Sequence, residues 1–366
     1  MNKSKILFVL HYPPPLHGAS MMGYYIMNSE LINSNFECKF RNLSISSSVN
    51  NIGSFGVSKF LNYIKLLYKV FIDCLFFKPS LIYITLNSHG VGLIKDSILV
   101  FFCKIFKIPH VFHFHNKGVK VYSEKKFAKS LYEYIFKGSY VILLSPLLYQ
   151  DISIFIPISR VFFIPNGIPS FNKSKKRYLN SSSKFEFLFL SNLIRSKGVF
   201  EIIEACSLLA KSGFDFKCVI AGDQGDVSFT ELNSFIKKLN LEEFVYPIGK
   251  VQNEFKQEAL FSADIFLFPS YYSNECFPLV LLEAMQVGLP IISTHEGAIP
   301  EIVENGKTGL LVPAQSSIEL ADAIRTFFEN PELCHRMGNA GKEKFQREYT
   351  LEKFEDRFLK ILKGII

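Results

Sequence analysis

The stretch Tyr271-Tyr-Ser-Asn-Glu-Cys-Phe-Pro-Leu-Val-Leu-Leu-Glu-Ala-Met285 carries two carboxylates, Glu275 and Glu283, which lie eight positions apart. Upstream, Asp264-Ile-Phe-Leu-Phe-Pro-Ser270 is a short apolar run that predicts a buried strand. Downstream, Pro278 is followed by good helix formers, which is typical of a helix that begins near the proline. The sequence therefore predicts a strand, a loop with Glu275, and a helix whose first turns carry Glu283.

Such a strand-to-helix junction suits phosphate, because the helix N-terminus presents free N–H groups and a positive dipole end. A carboxylate on either side can hold the hydroxyls of a sugar or a ribose. The alternative interpretation makes Glu283 a solvated helix residue and Glu275 an ordinary loop charge. Spacing alone leaves both open.

The length and composition predict two domains in a reduced, cytoplasmic protein. A chain of 366 residues with 48% hydrophobic residues can form two cores of ordinary size. Its seven cysteines are scattered without a C-x-x-C pair, so we expect neither a disulfide framework nor a zinc site. The first residues lack the pattern of a signal peptide, and no apolar run reaches the ~18 residues that a membrane span needs.

The charge is divided unevenly between the two halves. Residues 1–180 carry a net charge of +15 and residues 181–366 carry −7. A basic first half predicts an anionic partner, and we find no nucleic-acid-binding motif. We therefore expect peripheral attachment to the inner face of an anionic membrane, ahead of a general solubility role, and no nucleic acid.

The first predicted strand, Lys5–Leu10, opens onto a glycine-containing loop. A helix is predicted from about Ala19 to Leu31, with Ser20 as its candidate cap. Gly18 allows a ligand to approach the backbone closely. A strand, a glycine loop and a helix in this order are typical of the crevice of a nucleotide-binding domain.

The segment Gly56–Phe77 predicts a helix with apolar residues around much of its circumference and interspersed lysines. Two interpretations remain open: a buried crossover helix and a membrane-facing helix.

Further strands in the first half alternate with helices, which predicts a parallel sheet with helices on both faces. In the strand Pro109–His115, alternation places His113 and His115 on one face. His115 lies at the carboxyl end, where side chains of parallel strands point into the ligand crevice.

A polar segment at residues 172–184 predicts a linker, because the alternation of strands and helices restarts at Phe185. We expect a first domain over 1–171 and a second over 185–349. The final helical segment, about 350–366, is expected to pack back on the first domain.

The loop Asn192–Gly198 after the restarted strand contains Arg195 and Lys197, so it could pair with phosphate or be an ordinary solvated loop. The next strand ends at Gly222 before an acidic loop.

Taken together, three motifs resemble a retaining glycosyltransferase of family 4. They are Pro13-Pro-Pro-Leu-His-Gly18, Asn192-Leu-x3-Lys197-Gly198 and Glu275-x7-Glu283-Ala-Met285. The resemblance covers most of the chain and is most specific over residues 185–312, where the motifs follow the family order. It implies the GT-B fold, an α/β architecture with two doubly wound Rossmann-like domains facing across a cleft.

The resemblance also implies roles for individual residues. Glu283 matches the glutamate that holds the ribose of a nucleotide diphosphate sugar, and Glu275 matches the one beside the donor sugar. Lys197 matches the lysine that neutralises the diphosphate. The donor-binding set is completed by Gly18, Asn192, Arg195, Gly222 and the N–H groups of Phe277 and Leu279. His115 matches a crevice histidine near the reacting sugar, so the implied catalytic residues are His115, Glu275 and Lys197.

Two positions depart from the family pattern. Asn192 stands where the family often has arginine, and Arg195 is a candidate for the missing positive charge. Pro278 stands where the family often has glycine, and proline removes one N–H donor from the helix start.

The resemblance implies a metal-independent, cofactor-free hexosyltransferase that transfers a sugar with retention at the anomeric carbon. Together with the basic first half, it favours a lipid-linked or oligosaccharide acceptor in the assembly of a surface glycan such as lipopolysaccharide or capsule. The alternatives are a nucleotide-sugar 2-epimerase, another GT-B enzyme such as a sugar phosphorylase, and a non-catalytic nucleotide-sugar-binding subunit.

Overall fold

The computed structural model describes residues 3–44, 57–171 and 184–366. It divides into two compact units. Unit 1 comprises Met1–Gly167 with Leu351–Ile366, and unit 2 comprises Ile168–Thr350. All of the predicted linker except Lys184 lies outside the described residues.

Unit 1 is built on a six-stranded parallel sheet in the order β2-β1-β3-β4-β5-β6. Its strands are β1 (Lys5–Leu10), β2 (Glu37–Asn42), β3 (Leu81–Leu86), β4 (His110–Phe114), β5 (Tyr140–Leu143) and β6 (Val161–Phe163). Its helices are α1 (Gly18–Asn28), α2 (Glu30–Asn35), α3 (Val57–Ile72), α4 (Gly90–Ile105), α5 (Val119–Tyr122) and α6 (Lys126–Phe136).

Three features of unit 1 differ from the sequence-based expectation. The helix predicted from Ala19 to Leu31 is two helices, because Ser29 leaves the helical conformation and its side chain caps α2 at Ile32 N–H. The edge strand β2 was not predicted, since its sequence is mostly polar. The predicted helix Gly56–Phe77 is α-helical only to Ile72 and ends in a π turn, and Gly56 itself lies outside the described residues.

Unit 2 contains a second six-stranded parallel sheet in the order β12-β11-β10-β7-β8-β9. Its strands are β7 (Phe185–Leu190), β8 (Phe216–Ala221), β9 (Val245–Gly249), β10 (Ile265–Phe268), β11 (Ile291–Ser293) and β12 (Gly309–Leu311). Its helices are α7 (Val199–Lys211), α8 (Phe229–Lys238), α9 (Asn253–Ser262), α10 (Leu279–Val287), α11 (Ile299–Ile302), α12 (Ser317–Glu329) and α13 (Pro331–Glu348). The four residues of β10 are all buried, as expected for the middle of a sheet with helices on both faces.

Each sheet reverses its winding direction at one pair of strands. In unit 2 the chain runs from β7 outward to β9 and then from β10 outward to β12, with Leu188 of β7 opposite Phe266 of β10. In unit 1 the same reversal separates β1 from β3. The loops that leave the two strands at such a point diverge and leave a crevice at the carboxyl edge of the sheet.

The last helix, α14 (Leu351–Ile365), belongs to unit 1. The ring of Phe358 lies 5.3 Å from that of Tyr83 and 6.4 Å from that of Phe8. No helix in the described part of the chain combines the length and apolar character needed to cross a membrane.

Candidate functional site

The loop after β7 packs directly on the loop after β10. Lys197 ends a short 3-10 turn, and Gly198 follows with φ of +86°. A Cβ on Gly198 would lie 2.4 Å from the Pro269 carbonyl oxygen, so only glycine permits this approach. Tyr271 N–H donates to the Ser196 carbonyl at 2.8 Å, which fixes the two loops together.

This packing brings together two of the predicted site residues. The ammonium of Lys197 donates to Glu275 Oε2 in an ion pair, and the two side chains are only 12% and 9% exposed. Ser270 Oγ lies 3.4 Å from the same carboxylate oxygen. The ammonium also lies 4.7 Å from the ring centroid of Tyr272 and 5.2 Å from that of Phe268. A shielded cation and a carboxylate thus meet at the reversal point of unit 2.

The backbone of Glu275 is held from a third loop. Gly297 has φ of +56°, and a Cβ there would lie 2.2 Å from the Glu275 carbonyl oxygen. The neighbouring Ala298 N–H donates to the Cys276 carbonyl at 2.8 Å. Glu275 is therefore positioned by loops from β7, β10 and β11.

Glu283 lies in α10 and has a partner that was not predicted. Lys256 Nζ, from α9, is 2.6 Å from Glu283 Oε1. Glu283 Oε2 is buried and has no hydrogen-bond partner among the described residues. The sequence around Lys256 contains no motif that predicts this contact, because only the packing of α9 beside α10 brings the two side chains together.

The N-terminus of α10 begins at Leu279, with Pro278 as a cap residue that makes no side-chain hydrogen bond. The predicted helix start at Pro278 is thereby confirmed to within one residue. Leu281 N–H donates back to the Pro278 carbonyl at 3.2 Å. Since Pro278 has no N–H, this end of the helix carries one donor fewer than it would with glycine. Phe277 is buried, with its ring 5.8 Å from that of Tyr349.

Arg195, the candidate replacement for a missing arginine, is engaged elsewhere. Its guanidinium pairs with Glu231 of α8 at 2.5 Å and lies 4.2 Å from the ring centroid of Phe200. Asn192 is exposed at the start of the same loop. The Arg195 side chain therefore pairs with α8 and not with the Lys197–Glu275 pair.

Gly222 lies where the loops after β7 and β8 meet. A Cβ at this position would lie 1.7 Å from the Ser191 carbonyl oxygen. The close approach of the two backbones therefore explains why a residue without a Cβ stands at position 222.

An open groove of about 500 Å³ follows β9 and was not predicted from the sequence. It is lined by Lys250, Gln252, Asn253, Glu254 and Phe255. These residues are contributed by the carboxyl end of one strand and the first turn of α9, so the groove lies in the same unit as the Lys197–Glu275 pair.

In unit 1, His115 directly follows β4 and belongs to a cluster of histidines. Its ring centroid lies 4.2 Å from that of His113, and the rings of His11 and His17 are 5.8 Å apart.

His17, not Ser20, is the N-cap of α1. Ser20 completes a reciprocal capping box by accepting a hydrogen bond from His17 N–H at 2.9 Å. Gly18 is the first residue of that helix. His11 and His17 were not predicted as site residues.

Burial keeps these imidazoles neutral. It lowers the pKa of His115 to about 3, with His17 adding to the effect. Burial also lowers the pKa of His11 to about 3, and the other contributors are His17, Lys95 and His115. His113 has its pKa well below the ordinary value, again chiefly through burial, and its Nδ1 is 2.6 Å from the Tyr83 hydroxyl. Near neutral pH the cluster therefore offers uncharged donors and acceptors.

Among residues 3–44, 57–171 and 184–366, no group of three or more His, Cys, Asp or Glu side chains is arranged to hold a metal ion.

Sequence comparison finds a known family that matches most of unit 2. Residues 170–344 match the family described as glycosyl transferases group 1. N-acetyl-alpha-D-glucosaminyl L-malate synthase of Bacillus anthracis is 31% identical over 184 residues, which is 50% of this chain and 46% of that protein. The amylovoran biosynthesis glycosyltransferase AmsK of Erwinia amylovora is 33% identical over 196 residues, 48% of this chain and 47% of that protein. The matched region thus spans about half the length of these curated relatives.

Structural comparison extends over both units. The structure of Anabaena Alr3699/HepE in complex with UDP-glucose matches with a TM-score of 0.75 and 18% identity, over 98% of this chain and 99% of that one. At this identity the likeness shows the fold alone, and it confirms the predicted GT-B fold. Residues 170–344 therefore match the family described as glycosyl transferases group 1, within a chain that has the GT-B fold.

Proposed function

We propose that this protein is a retaining glycosyltransferase that moves a sugar from a nucleotide diphosphate sugar to a hydroxyl of a lipid-linked saccharide in surface glycan assembly. The donor binds unit 2 and the acceptor binds unit 1. Support for the donor class comes from the UDP-glucose complex of the Anabaena structure, and support for the pathway from the relative in amylovoran biosynthesis.

The observation that carries the proposal is the Lys197–Glu275 ion pair at the reversal point of unit 2. When the sugar–phosphate bond breaks, negative charge develops on the leaving diphosphate. A buried, preorganised ammonium stabilises that charge without a metal or another cofactor. Glu275 accepts hydrogen bonds from the donor sugar. Glu283, whose buried Oε2 has no hydrogen-bond partner among the described residues, accepts from the ribose hydroxyls when the donor is bound.

The histidine cluster of unit 1 favours front-face attack over a covalent glycosyl-enzyme. Among the described residues, no carboxylate contributes to the pKa shifts of His11, His113 or His115. A neutral His115 can hydrogen-bond a sugar hydroxyl. In this mechanism the departing phosphate takes the proton of the acceptor hydroxyl, and the new bond forms on the same face of the sugar.

Thermal unfolding measured with a panel of nucleotide diphosphate sugars tests donor binding, because a ligand that binds the folded state raises the unfolding temperature. Product analysis of the stabilising donor, with and without saccharide acceptors, tests the reaction. Transfer with a retained anomeric configuration is the expected result. An altered donor sugar without acceptor would identify an epimerase, and binding with neither transfer nor hydrolysis would identify a binding subunit.

A further inference from the structure

Helices α3 and α4 of unit 1 lie side by side. The ring of Phe71 in α3 is 5.8 Å from that of Phe102 in α4. The Tyr63 hydroxyl of α3 donates to the Lys95 carbonyl of α4 at 2.5 Å. Their inward residues, such as Leu66 and Leu99, are buried. The two helices therefore present one continuous outward surface, which we call the α3–α4 face.

This outward surface is apolar along both helices. In α4 the exposed apolar residues recur at intervals of three and four, and each is between 40% and 60% exposed: Val91, Ile94, Ile98, Phe101 and Ile105. In α3 the described apolar residues that are exposed are Phe60, Leu61, Ile64, Tyr68 and Phe71. Single exposed apolar residues are ordinary, but an aligned stripe on two neighbouring helices marks a contact surface.

The charge around this face is of one sign. Residues 57–109 contain seven lysines and two acidic residues. Both acidic side chains are buried: Asp73 is 1% exposed and pairs with Lys39 and Arg41, and Asp96 is 0% exposed and binds Asn87. Among the described residues of this segment, only lysines contribute exposed charge.

The combination of apolar and basic groups distinguishes between the partners that could cover the α3–α4 face. A second copy of the chain would place lysines against lysines. An anionic bilayer instead accepts the apolar side chains below its headgroups and the ammonium groups at its phosphates. Each helix has 16 residues, about 24 Å in length, which suits a position parallel to the membrane plane.

We propose that the α3–α4 face docks this protein on an anionic phospholipid surface. The docking uses unit 1 alone and does not depend on the proposed sugar transfer.

Vesicle flotation of the full chain tests the docking. We expect the protein to float with phosphatidylglycerol-containing vesicles and not with phosphatidylcholine alone, and to be released in part by salt. The triple variant Ile94→Glu, Ile98→Glu, Phe101→Glu should lose binding by roughly tenfold or more. The matched control is Ile318→Glu in α12 of unit 2, which replaces another exposed isoleucine (63% exposed) and should float like the wild type.

Two companion measurements keep the outcome interpretable. Thermal unfolding and its shift by the donor nucleotide should be unchanged in the triple variant, which separates lost docking from misfolding and from a failed donor site. Docking is refuted if the wild type ignores anionic vesicles or if the folded triple variant floats equally well. A wild-type dimer that the triple variant dissociates would also overturn it, because the face would then be covered by a second copy.

Discussion

Lys256 Nζ lies 2.6 Å from Glu283 Oε1, while Glu283 Oε2 is buried with no hydrogen-bond partner in the described residues. One oxygen of the carboxylate is thus paired within the protein, and the other has no hydrogen-bond partner among the described residues. The lysine holds the carboxylate in one orientation and compensates its charge in a largely buried place. We therefore expect Lys256 to position Glu283 for the proposed donor.

Replacing Lys256 by methionine should weaken nucleoside diphosphate binding by about tenfold, because Glu283 loses the partner that orients it. Lys256→Arg should restore most of the affinity. Titration calorimetry with the ribonucleotide and its 2′,3′-dideoxy analogue checks the assignment. Lys217→Met, which removes the partner of Glu186, serves as the control. An equal loss for both nucleotides would show that Lys256 does not act through the ribose hydroxyls.

Glu275→Gln should lower turnover by about a hundredfold while nucleotide affinity changes only a few-fold. The amide keeps the size of the side chain and one acceptor oxygen but removes the charge that faces Lys197. Steady-state kinetics and nucleotide titration provide the two readouts. Glu186→Gln changes another lysine-paired glutamate of unit 2 and should leave both unchanged. Turnover within a few-fold of wild type would exclude the role given to Glu275.

Gly198→Ala should destabilise unit 2 by about 1–3 kcal/mol, since the methyl group would meet the Pro269 carbonyl. Gly213→Ala is a matched control, because Gly213 also has a positive φ, +80°, but its Cβ would meet nothing within 4 Å. The free energies of unfolding of the two variants, measured in urea, separate the effect of backbone strain, which both share, from that of the steric clash, which only Gly198→Ala has. Gly198→Ala should also weaken nucleotide binding by displacing Lys197, and equal effects of the two variants would contradict the packing argument.

Stability should fall as the pH is lowered from about 7 towards 5. The folded-state pKa values of His11 and His115, about 3, lie below the ordinary value of 6.5, so the unfolded chain takes up protons first. The stabilisation is complete above the unfolded-state pKa and is lost as the pH falls. His115→Gln should reduce the slope by at most about 1.4 kcal/mol per pH unit.

Urea unfolding at several pH values measures this slope. Glu304→Gln is the comparison, because its partners Lys307 and Lys344 lower the Glu304 pKa to about 2. That carboxylate loses its contribution as the pH falls through the range below 4.5, so its removal should leave the slope above pH 5 unchanged. Parallel curves for wild type and His115→Gln would mean that folding does not lower the pKa of His115.

The strands of unit 2 were predictable because each is a short apolar run between turn residues, and the observed bounds of β10 lie within the predicted segment. The edge strand β2 was not, since Glu37–Asn42 alternates weakly and is only partly buried. Local pattern therefore identifies central strands well and polar edge strands poorly.

The sequence indicated several residues of the candidate site but not which side chains contact each other. Lys197 and Glu275 are 78 positions apart, and their contact follows from β7 and β10 being neighbours at the reversal point. Lys256 had no recognisable motif, because its role depends on the packing of two helices. Arg195 lay at a plausible spacing, yet Glu231 and Phe200 hold its guanidinium.

The position of α14 gives the two units different assembly requirements. Unit 1 contains residues from both sides of unit 2 in the sequence, so unit 2 is an insertion within unit 1. During synthesis, all of unit 2 leaves the ribosome before Phe358 becomes available to cover Phe8 and Tyr83. Unit 2 can therefore complete its core first, whereas unit 1 waits with an uncovered aromatic surface that a chaperone could recognise.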